Sequence, residues 1–131
     1  MGYGFTVDEP RDGVAVGCAF DNDRMSYVRM VMIEAGVLTG DGVEAVFRLP
    51  GLEPGDESLP VGTFIGVGAR VTGAQAAFIA ERTRRAVSLG VISDLLEFLD
   101  DAPPSAAVRE WTEQFAAFNE RAASVGGYHI V

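Results

Sequence analysis

Cys18 and His129 are the chain's one cysteine and one histidine. Together they are the only pair that could supply a nucleophile and a base near neutral pH. A thiol becomes a useful nucleophile when an imidazole within hydrogen-bond reach takes its proton. The local pattern argues against that arrangement. Cys18 shares its alternation with Val14, Val16 and Phe20, which makes it a small buried residue. His129 is out of phase with Tyr128 and Ile130, so it belongs on the opposite, outward side of its strand. No catalytic residue is assigned, and an enzyme is the less favoured reading.

Metal and phosphate chemistry are equally thin. With one His and one Cys, carboxylates would have to supply nearly all the ligands. Asp21-Asn22-Asp23 offers adjacent oxygens but lacks the alternating spacing, glycine and distal glutamate of a calcium loop, and helix capping is the better use for it. The run from Gly66 to Gly73 follows an expected strand and precedes a helix, as phosphate loops do. It lacks the third glycine of the dinucleotide fingerprint and any Gly-Lys-Ser/Thr ending. It reads as a turn and cap, with Arg70 the residue that would matter for an anion. No metal and no cofactor is expected.

Charge gives a broader constraint. The 131 residues carry a net charge of -9 and every cation is Arg. Such a balance disfavours non-specific nucleic-acid binding and attraction to an anionic membrane, and it suits a basic protein partner. The candidate contact region is the acidic loop with Glu53, Asp56 and Glu57, which Asp100 and Asp101 are expected to adjoin. Asp94 and Glu97 project from the preceding short helix as solvated groups. Arg82, Arg84 and Arg85 form the one basic cluster; without interleaved aromatics it reads as a solvated helix face.

These residues need elements to position them. Tyr3, Phe5 and Val7 alternate with smaller or polar residues, as do Val14, Val16, Cys18 and Phe20. The turn formers between them, Asp8 to Gly13, join the two runs as a hairpin. A helix runs from Arg24 to Ala35 behind the oxygens of 21–23, with Met25, Val28, Val31 and Met32 on its apolar stripe and Gly36 as its stop. Val43, Ala45, Phe47 and Leu49 alternate as a strand would, although a short helix capped by Asp41 fits too. Pro50 to Glu57 has the composition of a mobile loop, and Val61 to Val67 that of a further strand.

The later boundaries are sharper. Thr72 and Gln75 have capping-box spacing and open a helix to about Leu89. Val91 to Leu99 forms a short third helix, and Asp101-Ala102-Pro103-Pro104 ends it. Ser105 to Val125 follows with Val108, Trp111, Thr112, Phe115, Phe118, Asn119 and Ala122 at helical spacing. After Gly126-Gly127, Tyr128 and Ile130 share one face of a terminal strand. The fold expected is α+β: a small, mostly antiparallel sheet with about four helices packed on one face, in a single domain spanning 1–131.

Residues 60–131 resemble a group of small uncharacterised proteins found in actinobacteria and their phages. The shared features are Arg70-Val71-Thr72 leading into a small-residue helix, then Trp111, Phe115 and Phe118 at Trp-x-x-x-Phe-x-x-Phe spacing, then Gly126-Gly127-Tyr128-x-Ile130. The resemblance implies no activity, cofactor or site.

A lone cysteine, no secretory signal pattern and no apolar run of membrane-spanning length point to a cytoplasmic protein. The leading expectation is a non-enzymatic acidic module that binds a basic protein, of the kind a phage or mobile element encodes as a modulator or immunity-like inhibitor. A small-molecule-binding domain or minor enzyme is the first alternative and a DNA mimic the second. Homodimerisation is compatible with all three.

Overall fold

A computed structural model describes residues 2–7, 17–65 and 68–131. Six strands and four helices are present among them. The strands are β1 (Gly2–Val7), β2 (Gly17–Asp21), β3 (Leu38–Thr39), β4 (Leu59–Pro60), β5 (Arg70–Thr72) and β6 (Gly127–Ile130). The helices are α1 (Asn22–Glu34), α2 (Gly73–Ser88), α3 (Val91–Leu96) and α4 (Ser105–Ala123). The turn expected at 8–13, the strand positions Val14 and Val16, and residues 66–67 of the glycine-rich run lie outside the described residues.

The expected α+β fold is the observed one. The main sheet is antiparallel throughout, in the order β2-β1-β6-β5, so the C-terminal strand lies between the first strand and β5. Side-chain alternation then sorts the faces. Phe5, Val7, Phe20, Val71, Tyr128 and Ile130 are buried on the helix-covered side. Gly4, Thr6, Ala19, Arg70, Thr72 and His129 take the other. Helices α1, α2 and α4 pack against the sheet, and α3 packs on those three helices.

Phe5 is the centre of the core. Its ring lies within 6.4 Å, centroid to centroid, of Phe20, Phe64, Phe115, Phe118 and Tyr128. The α4 stripe supplies two of these rings, and the apolar spacing of that helix is accounted for by this contact. Tyr128 brings a hydroxyl into the same apolar volume, where leaving it unpaired would be costly. It donates to Asn119 Oδ1 at 2.7 Å, and Asn119 Nδ2 donates to the Phe115 carbonyl at 2.9 Å. Burial, partly offset by the Asn119 hydrogen bond, holds the Tyr128 phenol well above its ordinary pKa.

The caps read from sequence form as expected. Asp21 accepts from the Arg24 N–H at 2.8 Å, and Gly36 follows α1 with φ of 74°. The Thr72 hydroxyl accepts from the Gln75 N–H while Gln75 Oε1 accepts from that of Thr72, so both halves of the capping box are made. Gly127 has φ of 98°, and a Cβ there would overlap the Val71 carbonyl oxygen. Only glycine lets β6 approach β5 this closely.

Two expected strands do not form. Residues 43–49 adopt no regular structure: the Val43 N–H turns back to the Gly40 carbonyl, and Glu34 accepts from Val46 and Phe47 where a neighbouring strand would. Arg48 then turns to a positive φ of 48° and ends any extended run. Val61–Phe64 is a 3-10 turn rather than a strand, and it drives Phe64 into the core with Val61 packed against it, while Ile65 stays exposed. The chain pairs with β6 only later, at β5. On either side of the 43–49 segment, β3 and β4 form a two-residue parallel ladder that closes the loop from 40 to 58 at its base.

Candidate functional site

Sheet register decides the fate of the Cys18–His129 pair. Cys18 pairs with Phe5, and Phe5 with Ile130, so the thiol belongs to a row of core residues. His129 pairs with Thr6 on one side and Arg70 on the other, in the next row and on the opposite face. The sheet backbone separates the two groups. Burial also pushes the Cys18 thiol above its ordinary pKa, against smaller opposing effects of the Ala19 backbone and the Arg121 charge, which suppresses the thiolate. Arg70 and His129 are brought together across β5 and β6. Arg70 Nη2 donates to the Gly126 carbonyl at 3.2 Å, and both residues engage further partners. Among the described residues, no three His, Cys, Asp or Glu side chains are grouped to hold a metal ion.

The basic cluster departs from its solvated reading. Arg82 Nη1 donates to the carbonyls of Ala35 at 3.2 Å and Glu53 at 2.8 Å, and its guanidinium lies 4.7 Å over the Phe78 ring. Arg85 Nη1 reaches the Gly51 carbonyl at 3.0 Å and also pairs with Glu81. Arg84 pairs with Glu120 on α4. Two of the three arginines therefore bind loop backbone to helix. Arginine's planar fork permits such divided donation.

The same contacts place the acidic loop. Residues 51–55 run along α2, with Gly51 beside Arg85, Glu53 beside Arg82 and Gly55 beside Phe78. Ser58 accepts from Gly55 N–H and donates to the Gly36 carbonyl, which pins the other end. The loop expected to be mobile is tied at four points. Glu53 and Asp56 are exposed and Glu57 half-exposed. Asp100 and Asp101 are exposed too, but a different element carries them, the turn between α3 and α4. Asp101 adopts a positive φ of 56°, which aspartate tolerates better than most residues.

That turn belongs to a second acidic stretch, which also carries an exposed aromatic side chain. From Ala86 to Val108 the chain holds no cation and four carboxylates, Asp94, Glu97, Asp100 and Asp101. All four are exposed, and among the described residues none forms an ion pair or side-chain hydrogen bond. Beyond Leu96 the chain keeps turning through Phe98 N–H to Leu95 and Leu99 N–H to Leu96. Phe98 is thereby left 70% exposed, tilted against Phe47 at 6.0 Å, near Val46, which is 61% exposed. A groove of about 370 Å³ opens beside them, lined by Met30, Ile33, Val46, Leu95, Phe98 and Leu99 with Glu34 and Glu44.

Glu34 shapes that groove. Its side chain is on the last turn of α1 and the residue is only 2% exposed. Its two oxygens accept from Val46 N at 2.7 Å and Phe47 N at 2.9 Å, and among the described residues no cation pairs with it. Sequence reading passed over Glu34 because a single carboxylate at the end of a helix looks like a solvated group. A second hollow, about 420 Å³, lies between Ile33, Leu38, Val43, Leu49 and Leu52 and shares Ile33 and Glu44 with the first.

Comparison with protein-family models, with curated proteins and with solved structures gave no significant match. Among the described residues, no helix is long and apolar enough to cross a membrane.

Proposed function

We propose that this protein is a non-enzymatic, acidic docking module that acts in a reducing cytoplasm by binding a basic protein. The observation that carries the reading is the cation-free stretch from 86 to 108. Along the chain its four exposed carboxylates flank the most exposed large apolar side chain of the described residues, Phe98. An exposed aromatic within a stretch whose charge is of one sign is an interface feature, with the charge steering encounter and the ring supplying contact. A phage- or mobile-element-encoded modulator or immunity-like inhibitor is the setting such a module suits.

The two acidic surfaces make separate contributions on this reading. The 53–57 segment offers Asp56 and Glu57 on a pinned backbone, and the α3–α4 turn offers Asp100 and Asp101. Two copies docking through the same face would bring like charges together, which disfavours a homodimer there.

The reading is tested by capturing partners from host lysate over a salt series, with wild type and two charge-neutral variants. One carries Asp94→Asn, Glu97→Gln, Asp100→Asn and Asp101→Asn; the other carries Asp56→Asn and Glu57→Gln. Asparagine keeps the backbone of position 101 accessible. A basic protein held at low salt, shed at high salt and weakened by the first variant is the expected result. A partner that is acidic, or held equally by all three proteins at every salt concentration, would refute it.

A further inference from the structure

We infer that the hollow bounded by Ile33, Leu38, Val43, Ala45, Leu49 and Leu52 binds a small, neutral, largely apolar molecule. This is a second binding activity, independent of the docking reading above. The hollow measures about 420 Å³, and small-molecule sites span about 300–1,000 Å³. Its borders are fixed by contacts within the chain. The β3–β4 ladder closes the base of the loop, Ser58 donates to the Gly36 carbonyl, and Arg82 and Arg85 hold the backbone at Glu53 and Gly51. A wall formed in advance spares a ligand the entropy of ordering it.

The polar groups around the hollow select the ligand class. Four polar side chains line it, and each is engaged within the protein. Glu44 pairs with Arg48 at 2.9 Å, Glu53 Oε1 accepts from the Gly51 N–H at 3.4 Å, and the Thr39 hydroxyl donates to the Leu59 carbonyl at 3.5 Å. An anionic ligand would meet two carboxylates against one guanidinium already paired. A cationic one would have to draw a carboxylate from its present partner. What the site offers is shape and apolar contact, which favour an uncharged occupant.

Two locally unfavourable features shape the wall supplied by the 43–49 segment. Glu34 is buried with no cation beside it among the described residues, and its oxygens hold the Val46 and Phe47 N–H groups. Arg48, which lines the hollow, takes a positive φ of 48°, a left-handed conformation that disfavours arginine. Neither feature follows from local propensity. Departures of this kind gather where a segment must keep a set geometry for a ligand. Here they hold Val43, Ala45 and Leu49 along one side of the hollow, facing the Leu38 and Leu52 positions of the flanking chain.

Three probes that share one body and differ at the chain end test the inference: phenylpropanol, phenylpropylamine and phenylpropionate. Binding is followed by backbone amide shifts of the full chain. The alcohol should bind with a Kd of about 1 mM or tighter and shift Leu38, Val43, Leu49 and Leu52. The amine and the acid should bind about tenfold more weakly or worse. Ala45→Leu, at a half-exposed wall position, should weaken the alcohol about tenfold by filling the hollow, and Val43→Phe should do the same should the first variant fail to fold. Val46→Ser, in the neighbouring groove, should leave its affinity unchanged. No binding of the alcohol, equal binding of a charged analogue, or shifts confined to Val46, Leu95 and Phe98 would overturn the inference. So would full affinity in a folded filling variant. None of these results bears on the basic partner, which the lysate capture tests by itself.

Discussion

Replacing Glu34 by Gln should loosen the 43–49 segment and cost the protein a sizeable part of its stability. The side chain is almost wholly buried and receives two backbone N–H groups, one on each oxygen. Hydrogen bonds to a charged acceptor contribute about 1.5–3 kcal/mol each. Glutamine can accept one of these N–H groups but turns an NH₂ toward the other, so one bond is lost and a donor faces a donor. The expected loss is about 2–3 kcal/mol, against a total of about 5–15 kcal/mol for a domain of this kind. With a urea dependence of about 1–3 kcal/mol per molar, the unfolding midpoint should fall by about 1 M or more. Hydrogen exchange localises the effect: the Val46 and Phe47 amides should lose protection while those in the middle of α4 change only with global stability. An unchanged midpoint, or undiminished protection of those two amides, would refute the view that Glu34 holds this segment in place.

Three further outcomes follow from the structure. Gly127→Ala should destabilise by more than about 3 kcal/mol, since it combines a positive φ with overlap on the Val71 carbonyl. Gly42→Ala, at φ of 76° with open space around it, should cost only about 1–2 kcal/mol, and similar thermal melts for the two would contradict this. Tyr128 is held protonated in the fold while the unfolded chain ionises near 10.0. The fold's stability should therefore fall as pH rises past that value and keep falling until the folded phenol ionises. Tyr128→Phe should reduce this alkaline slope, leaving the part that the buried Cys18 thiol contributes above its ordinary 9.0, and at neutral pH it should cost about 1–3 kcal/mol by leaving Asn119 Oδ1 without its donor. Urea titrations at stepped pH would show an undiminished slope in the variant if the assignment is wrong. Finally, the Cys18 thiol should react with a disulfide reagent at pH 8 far more slowly in the folded protein than in urea, because burial raises its pKa and limits access. Equal rates would place it in the open.

Local chemistry determined much of this protein. The Asp21 cap, the Thr72–Gln75 box, the α4 stripe and the two-residue alternation around Phe5, Phe20 and Tyr128 each rest on contacts within a few residues or on one buried face. Their residue types were sufficient to place them, and the α+β class followed. The opposition of Cys18 and His129 was likewise legible, since alternation in a strand assigns faces before any partner strand is known.

Where two segments distant in sequence share a hydrogen bond, the tertiary structure decided. Residues 43–49 alternate like a strand, yet the N–H groups of Val46 and Phe47 go to Glu34, a partner that no local pattern announces. Arg82 and Arg85 look like a solvated face until residues 51–53 lie beside them and take their donors. Asp94 and Glu97 were legible as surface groups, but not that Phe98 would stand exposed beside an open groove. Exposure depends on which neighbours arrive, and that is settled only when α1, α3 and the 43–49 segment pack together.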